Sequence, residues 1–544
     1  MTGKITLAIF IDNFDIFLWE ARVLEEILKL DFVEIKLLIL KGETSSIYNT
    51  YSKFYRLHEK LDKAFCNKNV DYFKKINILK LVKGTPILSF TPLKNEYNTN
   101  NSEDVSKIIK EYHPDIILNL GHSEIKGNLK DVCKFGILSF YISDYRNRRC
   151  PSSGYWEVVR KSFVIGVTIC IANISLDENT IIYNTGLVAN SNSLNVIRNQ
   201  IYRVASLIIP RILKGIYSYG NSYLENLANR NKVDIEIFNN SIYKKPSSVE
   251  ALKNLIIVVL RTVFGKMNAH NEGRWFLIFS ICKKEFPLQI DLGSFKVLNP
   301  PKDRYWADPF VISKKNTHYI FIEEYLYKEG KGHISVLKLD QNGKLISNDK
   351  IIEKSYHMSY PFVFESNNKC YMIPETSGNK TIELYECISF PYEWKFVMNL
   401  MENVIAVDST LFFFKGKWWL FTSLNETKDT NIYFFELFLF YSDELFSNNW
   451  TSHPKNPINT DIKSSRQAGR IFNYGQKIFR PSQDCSGRYG KALNINLITK
   501  LSEDEYQETT TTCLNPFWDK KLEGMHTFNF NNEIFVIDTF QKNK

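Results

Sequence analysis

The residues best suited to chemistry are carboxylates that recur along the C-terminal half of the chain. Asp308 follows Trp306-Ala307, Glu375 lies in Met372-Ile-Pro-Glu-Thr, and Asp408 opens Asp-Ser-Thr. One protonated and one ionised carboxyl group, held near each other, is the arrangement that acid–base chemistry on sugars uses. We therefore predict Asp308, Asp408 and Glu375 as catalytic candidates, with Glu324 as a weaker one. The alternative for each aspartate is that it caps a turn.

A second group of candidates is a run rich in arginine, Ser464 to Gly490. It contains Arg466, Arg470, Arg480 and Arg488, and its apolar pieces flank the turn signal Asn473-Tyr-Gly, which predicts a hairpin. Guanidinium groups bind carboxylates and phosphates, so this hairpin would hold an anionic sugar, or would be a salt-bridged surface hairpin. The predicted substrate-binding residues of this half are Trp306, His357, Tyr360, Arg466, Arg470, Arg480, Gln483, Asp484, Tyr489 and His526.

The elements that must position these residues repeat. Short aromatic strands alternate with turns from Trp275 onward, and Trp306, Tyr360, Asp408, Ala468 and His526 begin similar units about 50 residues apart. Five such units of four strands predict a five-bladed β-propeller. Its innermost strands meet at a central funnel, where we expect Asp308, Tyr360, Asp408, Arg470 and His526 to converge.

The N-terminal half has a different pattern, in which buried strands alternate with helices. Ile5 to Ile11 and Val33 to Leu40 are continuous apolar runs, and Ser102 to Tyr112 is amphipathic. This alternation predicts a parallel sheet with helices on both faces. Three arginines, at 146, 148 and 149, follow a strand, and we predict Arg146 and Arg148 to bind the pyrophosphate of a nucleotide-sugar. The alternative is a solvated basic loop.

Several runs in this half are similar to the formyltransferase superfamily, which includes methionyl-tRNA and sugar N-formyltransferases. They are Pro114-Asp-Ile-Ile-Leu-Asn-Leu-Gly121, Phe135 to Ser143 with Tyr145-Arg146, and Gly166-Val-Thr-Ile169. The resemblance implies an α/β Rossmann-like formyltransferase fold and a formyl-tetrahydrofolate donor. It also implies catalytic positions at Ser139, Tyr141 and Thr180.

These three residues stand where the superfamily has Asn, His and Asp. Formyl transfer needs a base and a group that stabilises an oxyanion. Tyr141 is a poor base near neutral pH, since the pKa of a tyrosine is about 10. The sequence thus indicates either an altered transferase or a pseudoenzyme scaffold, and it makes formyl-tetrahydrofolate chemistry doubtful.

The C-terminal motifs resemble the N-terminal propeller domain of plant glucosamine inositolphosphorylceramide transferases. The matching runs, spread over 300–540, are Trp306-Ala-Asp-Pro-Phe310, Lys331-Gly-His-Ile-Ser335, His357-Met-Ser-Tyr-Pro361, Met372 to Thr376, Asp408-Ser-Thr410, His453-Pro-Lys-Asn-Pro457 and Arg480 to Cys485 with Tyr489-Gly490. The domain is also distantly similar to five-bladed glycosidases. The resemblance implies glycan or glycolipid chemistry and does not assign catalysis to the propeller.

Length and composition set the remaining expectations. The 544 residues divide into an α/β domain at 1–190, a helical connection at 191–272 and an all-β five-bladed propeller at 273–544. The connection carries a helix from Ala251 to Phe264 that rests on the propeller or touches a membrane. The formal net charge of +10 is too mild for a dedicated nucleic-acid binder, and nine irregularly spaced cysteines indicate reduced thiols. Zinc and P-loop motifs are missing, so we expect no metal.

Three functions remain open at this point. The first is a transferase of cell-surface polysaccharide or lipopolysaccharide biosynthesis, acting on a nucleotide- or lipid-linked sugar with a degenerate formyltransferase-like site. The second is glycosyl transfer or hydrolysis in the propeller funnel. The third is a non-catalytic glycan-binding scaffold. With neither a signal peptide nor a spanning segment expected, the predicted location is the cytoplasm, peripheral to the inner face of the cell membrane.

Overall fold

The chain forms two compact units, Met1–Lys266 and Met267–Lys544. The computed structural model describes residues 3–40, 52–66, 71–89, 100–121, 132–142, 154–162, 164–172, 180–188, 192–231, 246–267, 273–281, 291–427, 436–516, 518–531 and 533–542.

The first unit alternates strands and helices. Its elements are β1 Ile5–Ile11, β2 Asp15–Phe17, α1 Leu18–Leu28, β3 Val33–Leu40, α2 Lys53–Cys66, β4 Lys75–Asn77, β5 Ile87–Ser89, α3 Asn100–Glu111, β6 Ile116–Asn119, β7 Gly136–Ile142, α4 Tyr155–Arg160, β8 Val164–Ala172, β9 Thr180–Val188, α5 Leu194–Tyr219, α6 Asn221–Arg230 and α7 Ser248–Met267.

Seven of these strands form one sheet, in the order β5-β3-β1-β6-β7-β8-β9. The pairs from β5 to β7 are parallel and the last two are antiparallel. Strand β1 is buried along almost its whole length because helices cover both faces of a parallel sheet. The predicted α/β class is confirmed.

The first unit extends farther than residue 190. Helix α5 packs against α1 and α2, and α6 packs against β9, so the stretch expected to be a connection is part of this unit. Ser193 caps α5 by accepting a hydrogen bond from Val196 N at 3.2 Å. Asn221–Arg230, expected to be linker, is the helix α6, with Leu224 and Leu227 buried.

Apart from two short 3-10 helices, Leu292–Ser294 and Ser377–Asn379, the described elements of the second unit are strands. They are β10 Arg274–Ile281, β11 Lys296–Leu298, β12 Arg304–Lys314, β13 Thr317–Leu326, β14 Lys331–Leu339, β15 Leu345–Ile352, β16 Ser359–Ser366, β17 Lys369–Thr376, β18 Thr381–Ser389, β19 Glu393–Glu402, β20 Ala406–Phe414, β21 Lys417–Leu424, β22 Glu436–Ser442, β23 Thr451–Ser452, β24 Arg466–Gln467, β25 Phe472–Tyr474, β26 Lys477–Asp484, β27 Ala492–Leu501, β28 Tyr506–Leu514, β29 Leu522–Gly524, β30 Phe528–Phe530 and β31 Ile534–Gln541.

These strands form five antiparallel sheets, which are the five blades of a propeller. Blades one to three are β12–β15, β16–β19 and β20–β23, and blade four joins β24 and β25 to β26–β28. Blade five is composite: its inner strands β29 and β30 pair with β31, and β31 pairs with β10 from the start of the unit. The predicted five-bladed propeller is confirmed, with its ring closed by strands from both ends of the unit.

Among the described residues, no helix combines the length and apolar character needed to cross a membrane.

Candidate functional site

The innermost strands of the first three blades are interrupted at the same place. The pairing of each with its neighbour shifts after Ala307, Ser359 and Val407. The next residue of each strand is in the left-handed region, with φ of 50° at Asp308, 42° at Tyr360 and 54° at Asp408. A bulge of this kind turns a side chain out of the strand's regular alternation, and such strained residues concentrate at functional sites.

In the fourth blade, the residue with a positive φ at this place is a glycine. Gly469 has a φ of 124°, and a Cβ atom there would overlap the carbonyl oxygen of Phe528. Phe528 N donates to Ala468 O at 2.8 Å, which joins blade five to blade four at this point. Only glycine allows so close an approach of two backbones.

Asp308 links three blades through its carboxylate. Thr527 Oγ1 donates to Asp308 Oδ1 at 2.6 Å, and Tyr360 N donates to Oδ2 at 3.3 Å. His526 Nε2 lies 3.5 Å from Oδ1. Burial raises the pKa of Asp308, and the charge of His526 opposes that rise.

His526 is held from its other side by Asp538, whose Oδ2 lies 2.6 Å from Nδ1. Burial alone would lower the pKa of His526, but the charges of Asp538 and Asp308 raise it to about 9, so the ring is an imidazolium at neutral pH. The ring stacks on Trp275 at 4.1 Å and meets Tyr489 edge-on at 5.5 Å. Asp538 also accepts the backbone N–H groups of His526, Thr527 and Asp308, which fixes blade five against blade one.

Asp408 has a cation and an amide as partners. Arg466 Nε donates to Asp408 Oδ2 at 2.6 Å, and Gln483 Nε2 lies 3.3 Å from the same oxygen. Burial raises the pKa of Asp408 to about 6 in spite of Arg466. The guanidinium of Arg466 lies over the ring of Tyr489, 4.9 Å from its centroid.

Two glutamates occupy equivalent positions in neighbouring blades. Glu323 pairs with Ala307 and Glu375 pairs with Ser359, the residues just before the two bulges. Burial raises the pKa of both carboxyl groups, and the charges of Asp308 and Asp408 respectively add to the effect. Ser377 Oγ donates to Glu375 Oε1 at 2.8 Å.

We call this set the funnel cluster. Its members come from all five blades and are Asp308, Glu323, Glu375, Asp408, Arg466, Gln483, Tyr489, His526 and Asp538. Carboxyl groups whose pKa is raised by burial, held close to an imidazolium, are suited to exchange protons with a ligand.

Three side chains of the funnel cluster also have metal-ligand chemistry. The nearest oxygens and nitrogens of Asp308, His526 and Asp538 lie within 4.8 Å of one another. The oxygens of Asp538, however, already accept three backbone N–H groups. The carboxylates of Asp308 and Asp538 also lie on either side of the His526 ring, so the trio forms a charge network within the protein.

Two further predicted residues are buried: Tyr360 joins blade two to blades three and four, and Trp306 lies within blade one. The hydroxyl of Tyr360 accepts from Gly469 N at 2.7 Å and lies 3.0 Å from Thr410 Oγ1, and its side chain is fully buried. Trp306 Nε1 donates to Glu324 at 2.9 Å within blade one. Glu324 also bonds His333, Ser335 and Asn348, so it is a core carboxylate of that blade.

Two of the predicted arginines bind protein acceptors away from the funnel carboxylates. Arg470 donates to Val363 O at 2.6 Å. Arg480 is fully buried and bonds Glu508 through Nε and Nη2, at 2.7 and 2.6 Å, as well as Gln467 and Ser464. Anion binding by these two groups was expected from composition, but burial requires a partner for each charge and the sequence supplies one within the protein.

The other two predicted binding residues border the funnel cluster. His357 Nε2 lies 3.4 Å from Glu323 Oε1, and its Nδ1 accepts from Gly332 N at 2.9 Å. Asp484 accepts from Ser486 N at 2.8 Å and lies 3.7 Å from the Lys491 ammonium, as expected of a turn residue.

The predicted site of the first unit is described only in part. Ser139 pairs with Cys170 in β7 and β8, and Thr180 begins β9. The backbone of Tyr141 lies in β7, while its side chain, Arg146 and Arg148 lie outside the described residues. Ser139 and Thr180 offer hydroxyl groups and no carboxylate or imidazole, so these two positions do not supply the base that formyl transfer from formyl-tetrahydrofolate needs.

Sequence reasoning missed Glu323 and Asp538. Both lie on the second strand of a blade, as does Glu375, which the sequence did indicate. An acidic residue inside an otherwise apolar strand, as in Ile534-Phe-Val-Ile-Asp538, is the signal that could have found them, since a buried charge needs a purpose or a partner.

The architecture defines a class of two-part proteins in which an α/β unit precedes a five-bladed propeller. Residues 298–531 match the family model described as "Glucosamine inositolphosphorylceramide transferase 1, N-terminal". This confirms the resemblance of the propeller that the motifs indicated.

Individual similarities cover parts of the chain. Glucosamine inositolphosphorylceramide transferase 1 of Oryza sativa subsp. japonica is 36% identical over 205 residues, 37% of this chain and 27% of the plant protein. The chain therefore matches about a quarter of that relative's length. Zg3597, a family 117 glycoside hydrolase of Zobellia galactanivorans, aligns with 50% of this chain and 92% of its own at 11% identity and a TM-score of 0.33. Phosphoribosylglycinamide formyltransferase of Bacillus halodurans aligns with 39% of this chain and 96% of its own, at 17% identity and a TM-score of 0.28.

Proposed function

We propose that the propeller binds a sugar in its funnel and takes part in glycosyl transfer. The observation that carries this proposal is the funnel cluster, in which buried carboxyl groups, an imidazolium and a guanidinium from five blades meet. Burying this many charged groups is energetically costly, and apolar side chains alone would be enough to pack the blades together. A ligand-binding role accounts for their retention.

The roles within the funnel follow from the partners of each group. Asp308 faces the imidazolium of His526 and a hydroxyl donor, which favours its ionised form and suits it to act as a base. Burial raises the pKa of Asp408 to about 6, which brings its protonated form closer to neutral pH, while Arg466 favours the ionised form. Glu375, close to Asp408, is the second proton donor that we propose.

The funnel also bears on the kind of sugar. Arg470 and Arg480 bind protein groups, and Arg466 is paired with Asp408. A strongly anionic sugar would therefore be attracted within the funnel cluster by Arg466 and His526 alone. It would also be repelled by several carboxyl groups. We propose instead a hydroxyl-rich or amine-bearing sugar, bonded through neutral and acidic acceptors.

The finer proposal is a transferase of surface-glycan assembly, either polysaccharide or lipopolysaccharide, with a nucleotide- or lipid-linked amino sugar as substrate. The name of the plant relatives, which includes glucosamine and a ceramide lipid, supports an amino sugar and a lipid-linked partner. Transfer without hydrolysis requires that water be kept from the reacting carbon, which the buried funnel favours.

The test combines binding and turnover. The protein is titrated calorimetrically with glucosamine and N-acetylglucosamine, and transfer from UDP-N-acetylglucosamine to a lipid-linked acceptor is followed by mass spectrometry. Asp308→Asn and Asp408→Asn should abolish transfer, whereas the control Asp443→Asn, at a side chain that is 79% exposed, should not change it. Sugar binding without any transfer would favour the scaffold function, and failure to bind any of these sugars would refute the proposal.

We further propose that the protein works at the inner face of the cell membrane. Helix α7 buries Ala251, Leu255 and Val258 on one side. Its opposite side exposes a second apolar stripe, formed by Val249, Leu252, Ile256, Val259 and Leu260. A helix that is apolar on two sides with one of them open to solvent supports interfacial docking, which a lipid-linked substrate would require.

Vesicle sedimentation tests this location. The protein should sediment with vesicles of phosphatidylcholine and phosphatidylglycerol, and Ile256→Lys together with Val259→Lys should release it. Leu28→Lys, at an equally exposed leucine of α1, is the matched control. Sedimentation that is unaffected by the α7 substitutions would assign membrane contact elsewhere or exclude it.

A further inference from the structure

Beside the funnel, blade one carries a contiguous group of aromatic side chains that we call the tyrosine shelf: Tyr305, Tyr325, Tyr327 and His357. The rings of Tyr305 and Tyr325 are parallel, with centroids 4.8 Å apart and an interplanar angle of 4°. Tyr327 lies 6.2 and 6.3 Å from these two rings, and His357 lies 6.1 Å from Tyr325. The four rings thus form one surface.

The outer part of the tyrosine shelf is open to solvent. Tyr327 is 46% exposed and the side chain of His357 is 39% exposed, while Tyr305 and Tyr325 are half-buried. Aromatic side chains with one wet face and a polar tip are favoured where a ligand has both apolar and polar groups. The C–H face of a sugar ring with its rim of hydroxyl groups is such a ligand.

A carboxyl group lies under the shelf. Tyr305 Oη donates to Glu323 Oε1 at 3.0 Å, and His357 Nε2 lies 3.4 Å from the same oxygen. Since His357 Nδ1 accepts the N–H of Gly332, the ring proton is on Nε2, the nitrogen nearer to Glu323. The shelf therefore combines stacking faces with donors and an acceptor for hydroxyl groups.

The shelf adjoins the funnel directly. Tyr305 precedes Asp308 by three residues on β12, and Glu323 pairs with Ala307 on the neighbouring strand. Burial raises the pKa of Tyr305 well above its usual value, and the charges of Glu323 and Asp308 add to that rise, so the Tyr305 hydroxyl lies near the funnel carboxyl groups. A ligand in the funnel and a ring on the shelf would thus be adjacent units of one chain.

We propose that the tyrosine shelf is a second sugar subsite, so that the protein binds a glycan of at least two rings, with one ring in the funnel and the next stacked on Tyr325 and Tyr327. This inference rests on the proposed sugar binding in the funnel. Linking two subsites makes the second contact intramolecular, and affinity should rise steeply with the second ring.

Calorimetric titration of the full chain with one-, two- and three-ring β-1,4-linked saccharides of glucosamine, N-acetylglucosamine and glucose tests the inference. We expect the two-ring ligand to bind about tenfold more tightly than the single ring, as one added stacking contact of an aromatic ring would give. Tyr327→Ala should remove this gain and leave binding of the single ring unchanged. Tyr392→Ala, at a tyrosine of blade two that is 43% exposed, should keep the gain.

The outcomes separate the two proposals. Single-ring binding with no dependence on length, or a gain that survives Tyr327→Ala, overturns the second subsite and leaves the funnel proposal standing. If none of these saccharides binds the wild-type chain, both proposals fall together.

Discussion

Arg466 Nε lies 2.6 Å from Asp408 Oδ2, and the two side chains are only 12% and 2% exposed. They come from blades four and three, so this ion pair joins neighbouring blades within the funnel cluster. Because both side chains are almost inaccessible to water, the loss of either partner leaves the charge of the other buried and uncompensated.

Arg466→Ala should therefore lower the free energy of unfolding by about 3 kcal/mol, the cost of an uncompensated buried charge. Equilibrium denaturation in guanidinium chloride, followed by tryptophan fluorescence, measures the change. The matched control is Arg488→Ala, which breaks an exposed pair with Glu523 and should cost about 1 kcal/mol or less. Equal effects at the two positions would show that the funnel pair is solvated.

The charge on His526 should make the propeller less stable as pH rises. Its pKa is raised to about 9 in the folded chain, above the value of about 6.5 for an unperturbed histidine. The folded chain therefore binds more protons between these values, and the free energy of unfolding falls across that window by at most about 3 kcal/mol. Asp408, with its pKa raised to about 6, acts with the same sign from about pH 4 to 6.

In His526→Gln, the free energy of unfolding should decrease less between about pH 6.5 and 9 than in the wild-type chain. Urea denaturation at several pH values measures this. His318→Gln is the control, since burial lowers the pKa of that histidine and it stays neutral over the same window. A decline that persists unchanged in His526→Gln would mean that the imidazolium is not its source.

Arg480→Lys should destabilise the propeller and not merely weaken ligand binding. The guanidinium makes four hydrogen bonds, to Glu508 twice, Gln467 and Ser464. An ammonium cannot reproduce this planar pattern, so we expect a loss of about 3 kcal/mol in the free energy of unfolding. Unchanged stability with a weakened sugar affinity would return Arg480 to the list of ligand-binding residues.

Gly469→Ala should prevent blades four and five from closing, because the new methyl group would overlap Phe528 O. Gly475→Ala isolates the backbone contribution: its φ is also positive, at 59°, but nothing lies within 4 Å of the added carbon. We expect the free energy of unfolding to fall by about 1 kcal/mol in Gly475→Ala and by several-fold more in Gly469→Ala, as measured by thermal unfolding. Similar melting temperatures for both variants would argue against the close backbone contact.

The fold was predictable where the pattern is local and repeated. The alternating runs of the first half predict its parallel sheet, and the spaced motifs of the second half predict five blades with Asp308, Asp408 and His526 near one another. The composite fifth blade was not predictable in this way, because β10 carries none of the repeated motifs and its partner β31 lies at the far end of the unit.

The side-chain partners were the least predictable part. Arg466 and Arg480 are fourteen residues apart in one arginine-rich run, yet the first faces Asp408 in the funnel and the second bonds Glu508 inside its own blade. Composition shows that a buried guanidinium needs a partner, and only the three-dimensional arrangement shows which carboxylate provides it.

The pairing of β10 with β31 also sets the order of events in synthesis. Thr539 Oγ1 donates to Phe276 O across a separation of 263 residues. During translation the first four blades can form in sequence, but β10 has no hydrogen-bonding partner in β31 until the ribosome has passed residue 541. Until then the nascent arc presents an open strand edge, the kind of surface that chaperones bind and that pairs wrongly with other chains.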